Sequence, residues 1–164
     1  MKAFMTTGTY DFLKRLEKKH NEINFYFMNN VNSTLAYYEG NGKSIFVAGR
    51  TYEILMKKGN INKKGYVVMN NIPVSEEGKP VFEDRFIKQQ QRLDQMSGLR
   101  AFRLLKPIKG NTYIVFSQWE TEENYILWKE SEAFQKQTAK PPAYFLDRPF
   151  ITEYVMVKQE KNEA

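Results

Sequence analysis

The chain has 164 residues, 41% of them hydrophobic, which is enough to bury one core of ordinary size or two very small, mutually dependent ones. It has no cysteine, which excludes a disulfide framework, thiol catalysis and cysteine-ligated zinc or iron–sulfur sites. The formal net charge of +6 is compatible with an anionic partner, but Lys and Glu are interspersed along residues 14–22 and 120–136, as on solvated helix faces. The remaining basic clusters, at residues 57–64 and 100–109, are candidates to pair with carboxylates or phosphates.

Aromatic residues make up 15% of the chain, which favours sheets, aromatic-lined pockets and interfaces. The first 20 residues contain no uninterrupted apolar segment, so no signal peptide is predicted. No other segment approaches the length of a membrane span. We therefore expect a cytoplasmic protein with no membrane partner.

Four strands and two helices are predicted before residue 59. Thr9 is a favourable cap for a helix over Tyr10–Lys19. The predicted strands cover residues 2–7, 23–28, 34–38 and 44–48. The sequence EGNG at 39–42 indicates a hairpin between the last two strands, because glycine and asparagine accept the positive φ of hairpin turns. A short apolar stretch at 52–56 predicts a second helix.

The polar segment 59–65, which begins and ends with glycine, is predicted to connect the two halves of the chain. After it the same elements recur at greater length. Pro80 is favoured near the start of a helix, whose apolar face would hold Phe82, Phe86 and Leu93. The predicted strands are 66–74, 99–105, 112–119 and 150–158, with a hairpin across 109–111 and two short helices before the last strand.

The order strand–helix–strand–strand–helix–strand is the ferredoxin-like arrangement, an antiparallel sheet covered on one face by helices. The fold class is therefore predicted as α+β, with two fused ferredoxin-like halves, of which residues 1–62 form an incomplete one. A short internal sequence similarity supports duplication. SIFVA at 44–48 followed by YEILMK at 52–57 resembles YIVFS at 113–117 followed by YILWK at 125–129. This internal similarity aligns Met56 with Trp128.

Four features of the second half occur together in one known family. They are Asn70, Arg85-Phe86, the sequence GLRAFR from Gly98 and the sequence WETEENYILWKESEAF from Trp119. The chain thereby resembles the antibiotic-biosynthesis-monooxygenase (ABM) superfamily and, within it, the IsdG-type heme-degrading monooxygenases. Its two-part layout resembles the longer Bacillus HmoB type.

The resemblance covers about residues 66–158 and implies that residues 63–164 form the ABM ferredoxin-like domain. Family members usually close two ferredoxin-like sheets into an α+β barrel as homodimers. Two fused halves therefore imply that one chain forms a sheet like the dimeric α+β barrel. The protein would then be a monomer through internal duplication, and the alternative is a homodimer.

The activity that the resemblance implies is opening of the porphyrin ring of heme with O2 and an external reductant, which releases iron. The family's catalytic asparagine matches Asn70 and its tryptophan matches Trp128. Its proximal histidine, ten residues beyond that tryptophan, falls on Thr138, whose neutral hydroxyl is a poor iron ligand. The residues expected to contact heme are thus Asn70, Trp128, Phe134 and Thr138.

Each of these residue types has a chemical reason to be present at a heme site. An asparagine amide can donate a hydrogen bond to dioxygen at the iron, and a bulky indole against the porphyrin can force the ring out of plane. An axial imidazole holds the iron and tunes its electronics. Because Thr138 replaces that imidazole, Tyr144 and Lys140 are alternative axial ligands.

Each candidate also has a purely structural interpretation. Trp128 is of a type that commonly fills cores, and Trp119 is expected in the core. Asn70 is compatible with a turn at a strand end, and Asn71 is a second candidate for the asparagine beside heme. His20, the only histidine, is expected at the C-terminal end of the first helix, where it would interact with the helix dipole.

Two other functions stay open at this point. One is a non-catalytic ABM-fold heme-binding or regulatory/stress protein, and the other is a cofactor-independent monooxygenase of a small aromatic substrate. The sequence KGYVV at 64–68 partly resembles an RNA-recognition motif but falls on the first strand instead of the third, so no nucleic-acid partner is expected. The expected partners are heme and a reductant or reductase.

Overall fold

Eight antiparallel strands close into a barrel in the computed structural model, which describes residues 1–131 and 142–158. The strands are β1 (Lys2–Gly8), β2 (Tyr26–Asn29), β3 (Thr34–Gly40), β4 (Arg50–Lys58), β5 (Tyr66–Pro73), β6 (Leu99–Pro107), β7 (Thr112–Trp119) and β8 (Phe150–Met156). The α-helices are α1 (Tyr10–Lys19), α2 (Lys79–Lys88) and α3 (Glu122–Lys129), and short 3₁₀ helices cover Glu76–Gly78 and Gln90–Gln95.

The strand order around the barrel is β1-β3-β2-β8-β5-β7-β6-β4, closed by pairing of β4 with β1. Each half of the chain therefore contributes four strands in the same order: its fourth strand, then its first, third and second. The halves meet where the second strand of one pairs with the fourth strand of the other, at β2–β8 and β6–β4. The predicted α+β class with ferredoxin-like topology is confirmed.

Three predictions for the first half were wrong. Residues 44–48 form no strand, residues 52–56 belong to β4 instead of a helix, and the predicted hairpin at 39–42 is absent because β3 and β4 each pair with β1. Along β4, Tyr52 is buried and Glu53 is exposed, which is strand alternation that the short apolar stretch concealed. Pairing with two neighbouring strands outweighs the local helical pattern.

The alignment that the internal sequence similarity suggested is also wrong. In the strand order β4 corresponds to β8, so Met56 lies on a strand and is not the counterpart of Trp128 on α3. Residues 41–49 run between β3 and β4, where the second half has α3 and the chain that leads to β8. Phe46 of this loop packs against the rings of Phe25 and Tyr38.

The barrel interior is filled by one apolar cluster that includes Met5, Tyr37, Met69 and Phe116. The polar connector between the halves lies across one end, where the buried Gln118 amide donates to Asn62 O (2.8 Å) and its carbonyl accepts from Asn62 N (2.7 Å). On the outside, the helices cover three further clusters. The interior is therefore packed, and a ligand site must lie on an outer face or at a barrel mouth.

Candidate functional site

Side chains of β5 alternate between the barrel interior and the outer face. Val67, Met69 and Asn71 point inward, whereas Val68 and Ile72 belong to the outer clusters under the helices. Asn70 lies between Val68 and Ile72 and therefore shares their outer face. The two candidate asparagines are on opposite faces of the sheet.

Asn71 has a structural role. It is 4% exposed, and its Nδ2 donates to Met69 O at 3.2 Å and to Phe150 O at 3.1 Å. The bond to Phe150 O joins β5 to β8 inside the barrel, and the bond to Met69 O lies within β5. The alternative that Asn71 lies beside a ligand on the helix-covered face is therefore wrong.

Asn70 is different. Its Oδ1 is buried and has no hydrogen-bond partner among residues 1–131 and 142–158. Its neighbours across the sheet are Val115 on β7 and Ile151 on β8, which offer it no side-chain hydrogen bond. Because buried polar atoms are nearly always satisfied in native proteins, an unpartnered carboxamide oxygen marks a place where a ligand or water completes the structure.

Helix α3 is held against this face by its N-terminal end. Thr121 caps it by accepting from Asn124 N at 3.2 Å, and Gly98 O accepts from Glu120 N at 2.8 Å. Gly98 has φ +82°, and a Cβ at this position would overlap the Asn124 side chain. Glycine is required here both for its left-handed backbone and for this close approach.

Trp128 packs on an aromatic cluster under α3. Its ring centroid lies 5.6 Å from that of Trp119 and 6.4 Å from that of Tyr125. Trp119 is 1% exposed, which confirms it as a core residue, whereas Trp128 is only partly buried. Val68 belongs to the same cluster and lies two residues before Asn70 on the same face of β5, so the structure brings Asn70 and the tryptophan cluster to one face.

Tyr125 carries a second buried polar atom without a partner. Its ring is 2% exposed, and its hydroxyl has no hydrogen-bond partner in the described part of the chain. Burial, and next the Glu153 carboxylate, raises the pKa of Tyr125 to about 12. The sequence from Trp119 to Phe134 contains Tyr125, but sequence reasoning gave this residue no role. The only signal in the sequence was a tyrosine at a position where phenylalanine would fill the same space.

Two other tyrosines at the site are bound to carboxylates. Tyr66 donates to Glu153 Oε1 at 2.6 Å, and Tyr113 donates to Glu83 of α2, which also lies 3.1 Å from Lys106 Nζ. Burial and then these hydrogen bonds raise the pKa of both phenols far above its ordinary value. Both tyrosines therefore stay protonated donors at neutral pH.

The α2 side of the face is apolar. Phe82 packs between Phe86 (ring centroids 5.0 Å apart) and Tyr113 (4.7 Å). Tyr144 borders the same cluster, and its backbone carbonyl accepts from Ser75 N at 2.8 Å. A Cβ on Gly78 would overlap the Tyr144 side chain, so the absence of a side chain at Gly78 permits this contact.

Three predicted contact residues, Phe134, Thr138 and Lys140, lie outside the described residues. His20 is the C-cap of α1, as expected, with Nδ1 3.4 Å from Glu22 Oε1. Within residues 1–131 and 142–158, no cluster of three or more His, Asp or Glu could hold a metal ion. No helix in that part of the chain is long and apolar enough to cross a membrane.

The basic clusters are largely paired within the protein. Ion pairs link Lys57 and Arg103 to Glu39, Lys58 to Asp94, Arg100 to Glu120 and Lys106 to Glu83. Tyr66, the aromatic of the RNA-like motif, has its ring centroid 6.1 Å from that of Tyr125. Its position beside Tyr125 and Glu153 disfavours stacking on a nucleic-acid base.

The chain is similar to known proteins in both sequence and fold. Residues 65–140 match the family model "Antibiotic biosynthesis monooxygenase". A heme-degrading monooxygenase of Listeria monocytogenes is 29% identical over 79% of this chain and 78% of its own. Signal transduction protein TRAP of Staphylococcus epidermidis is 26% identical over 85% of this chain and 84% of its own.

A solved structure described as a major regulator of staphylococcal pathogenesis superposes with a TM-score of 0.89 at 21% identity, over 96% of this chain and 100% of its own. That likeness concerns the fold. The chain therefore has the ferredoxin-like fold of that structure, and residues 65–140 within it are similar to antibiotic biosynthesis monooxygenase domains.

Proposed function

We propose that this protein is a heme-degrading monooxygenase whose substrate and cofactor, heme, binds on the outer face of β5 and β7 between α2 and α3. The observation that carries the proposal is the buried Asn70 Oδ1, which has no partner among the described residues. The similarity to the Listeria monocytogenes heme-degrading monooxygenase supports the same substrate.

The described residues fit heme in two respects. Apolar and aromatic side chains from both helices, among them Phe82, Phe86 and Trp128, border the face on either side of Asn70. The carboxamide of Asn70 supplies a polar group in an otherwise apolar setting, which is the usual composition of a cofactor pocket. Bound heme would supply dioxygen binding and activation at its iron.

Each residue has a defined task in this proposal. The Asn70 amide would orient dioxygen by donating a hydrogen bond from Nδ2, while its buried Oδ1 would accept one from a water or ligand donor. Trp128 would press against the porphyrin and favour a distorted ring, with Trp119 and Tyr125 behind it as a rigid support. The apolar walls would exclude water, which strengthens these polar contacts. Electrons would come from an external reductant or reductase.

The axial ligand differs from the family's histidine. The chain has one histidine, and His20 caps α1 over the first half of the barrel. Tyr144 borders the α2 side of the site, and phenolate is a known axial ligand of heme iron. We infer that Tyr144, or Lys140 outside the described residues, takes this position, with weaker heme affinity than a histidine would give.

Titration of the protein with heme, followed optically, tests the proposal. We expect a saturable shift of the Soret band, and then loss of that band and release of iron when a reductant and O2 are added. Asn70→Ala should slow that loss, whereas Asn41→Ala, on the exposed loop before β4, should not. A titration without a Soret shift would contradict the proposal.

A second candidate is a heme-binding or regulatory protein without catalysis. It is favoured by the similarity to signal transduction protein TRAP, which spans more of the chain than the similarity to the heme-degrading monooxygenase. A saturable Soret shift with a stable Soret band under an efficient electron donor and O2 would select this function over the first.

A further inference from the structure

The barrel has a cleft of about 470 Å³ at one mouth, away from the face that carries Asn70. Both halves of the chain line it, β4 from the first half and the β6–β7 turn from the second. Arg50 lies on the same face of β4 as Tyr52, which belongs to the barrel interior, so its side chain starts at the mouth of that interior.

The charge of this cleft is one-sided. Arg50 and Lys109 line it, and no Asp or Glu does so among the described residues. Neither cation has an ion pair within the described part of the chain, in contrast to Lys57, Lys58 and Arg103 nearby on β4 and β6. Two unpaired cations beside a cleft without carboxylates create a positive potential that attracts anions.

The wall of the cleft offers donors as well as charge. Tyr52 is 4% exposed. Burial raises its pKa, and the charge of Arg50, which lines the same cleft, acts in the opposite direction. A guanidinium next to a hydroxyl is suited to an oxyanion, because both donate hydrogen bonds to its oxygens.

The rim of the cleft is apolar. Ile108 and Phe150 line the cleft and are 53% and 54% exposed. Large hydrophobic side chains exposed at a charged cleft can contact the apolar body of a ligand. The lining of the cleft therefore combines cationic and exposed apolar side chains.

We propose that this barrel mouth is a second binding site, for a small amphipathic anion that carries a carboxylate or phosphate and an aromatic or alkyl body. The anionic group contacts Arg50 and Lys109, and the body packs on Ile108 and Phe150. The site does not depend on heme binding at the Asn70 face. It requires both halves of the chain, since each contributes one cation.

Calorimetric titration at low ionic strength tests the site with three probes that share a phenyl ring: phenylacetate, phenyl phosphate and the neutral 2-phenylethanol. We expect saturable binding of one or both anions and none of the alcohol, and the tighter anion identifies the head group. Binding should weaken as salt is added, because exposed charges are screened. Arg50→Gln and Lys109→Gln should each weaken binding about fivefold.

Lys64→Gln is the matched control. Lys64 is an exposed cation in the connector at the opposite end of the barrel, so its removal changes net charge equally and should leave binding unchanged. Three results would overturn the proposal. They are no saturable binding of either anion, equal binding of the alcohol, or a loss in the Lys64 variant as large as in the other two.

Discussion

Arg103 and Glu39 form an ion pair inside the barrel, with Nε 2.8 Å from Oε2, and thereby join the two halves of the chain. Arg103 is 1% exposed, and its Nη1 also donates to the carbonyls of Lys58 (3.0 Å) and Phe102 (2.8 Å). Tyr37 donates to the same Glu39 oxygen at 2.6 Å. A buried guanidinium with this many partners holds β3, β4 and β6 in one register.

Removing one partner of this pair should be costly. Arg103→Ala leaves Glu39 without its nearest cation and frees two buried carbonyls, so we expect a loss of about 3–5 kcal/mol in the free energy of unfolding, measured by urea denaturation. Arg100→Ala is the control, because its pair with Glu120 is exposed and should contribute less than about 1 kcal/mol. Similar losses in both variants would refute the special role of Arg103.

Replacement of the two neighbouring asparagines should separate activity from stability. Asn70→Ala removes a buried oxygen without a partner in the described structure, so stability should change by less than about 1 kcal/mol while heme turnover falls. Asn71→Ala removes a buried amide that donates to Met69 O within β5 and to Phe150 O on β8, and should cost about 1–3 kcal/mol. Urea melts beside turnover rates measure both, and a large stability loss in Asn70→Ala would argue for a structural role.

The two tryptophans should behave in opposite ways. Trp119→Ala empties a core position and should cost about 3–5 kcal/mol. Trp128→Ala removes a partly buried ring, so turnover of heme should fall by a larger factor than the equilibrium constant for folding. Thermal melts alongside rates check this, and proportional losses in Trp128→Ala would favour a plain packing role.

Thr138→His tests the axial position. If heme occupies the proposed face, the new imidazole should raise heme affinity and produce the optical spectrum of a five-coordinate imidazole complex. Thr138→Val, which has a similar shape and no ligand atom, should show neither effect. Unchanged affinity in Thr138→His would place the iron elsewhere or assign its ligand to another group.

Tyr125 should lower stability at high pH. Its folded-state pKa of about 12 lies above the ordinary phenol value near 10, so the phenol ionises more readily in the unfolded chain. Stability is therefore unaffected by this group below about pH 10 and falls as pH rises towards 12. Tyr125→Phe should reduce that loss, measured by urea melts at pH 7 and pH 11.

At pH 7 the same substitution should leave stability equal or slightly higher, because the buried hydroxyl has no partner among the described residues. Tyr113→Phe is the control, since its hydroxyl donates to Glu83 and its loss should destabilise by about 1 kcal/mol or more. Destabilisation of Tyr125→Phe at pH 7 as large as that of Tyr113→Phe would show that the hydroxyl is satisfied.

Much of the second half was predictable because its strands and α2 carry long, regular patterns. The helix over Tyr10–Lys19 was predicted with its observed ends, since Thr9 accepts from Phe12 N as a cap. The errors fell between residues 39 and 58, where short apolar runs fit a helix or a strand equally well. There the pairing of β4 with β1 and β6 decided the conformation.

The sequence by itself determined the ferredoxin-like class, because strand and helix order depends on local patterns. Its resemblance to the monooxygenase family, carried by short motifs, supplied the candidates Asn70 and Trp128. Only the tertiary structure distinguished Asn70 from Asn71, since strand alternation sends adjacent side chains to opposite faces. It alone placed Arg50 of the first half and Lys109 of the second in one cleft and paired Glu39 with Arg103. Such contacts join residues far apart in the chain, and closure of the barrel is what creates them.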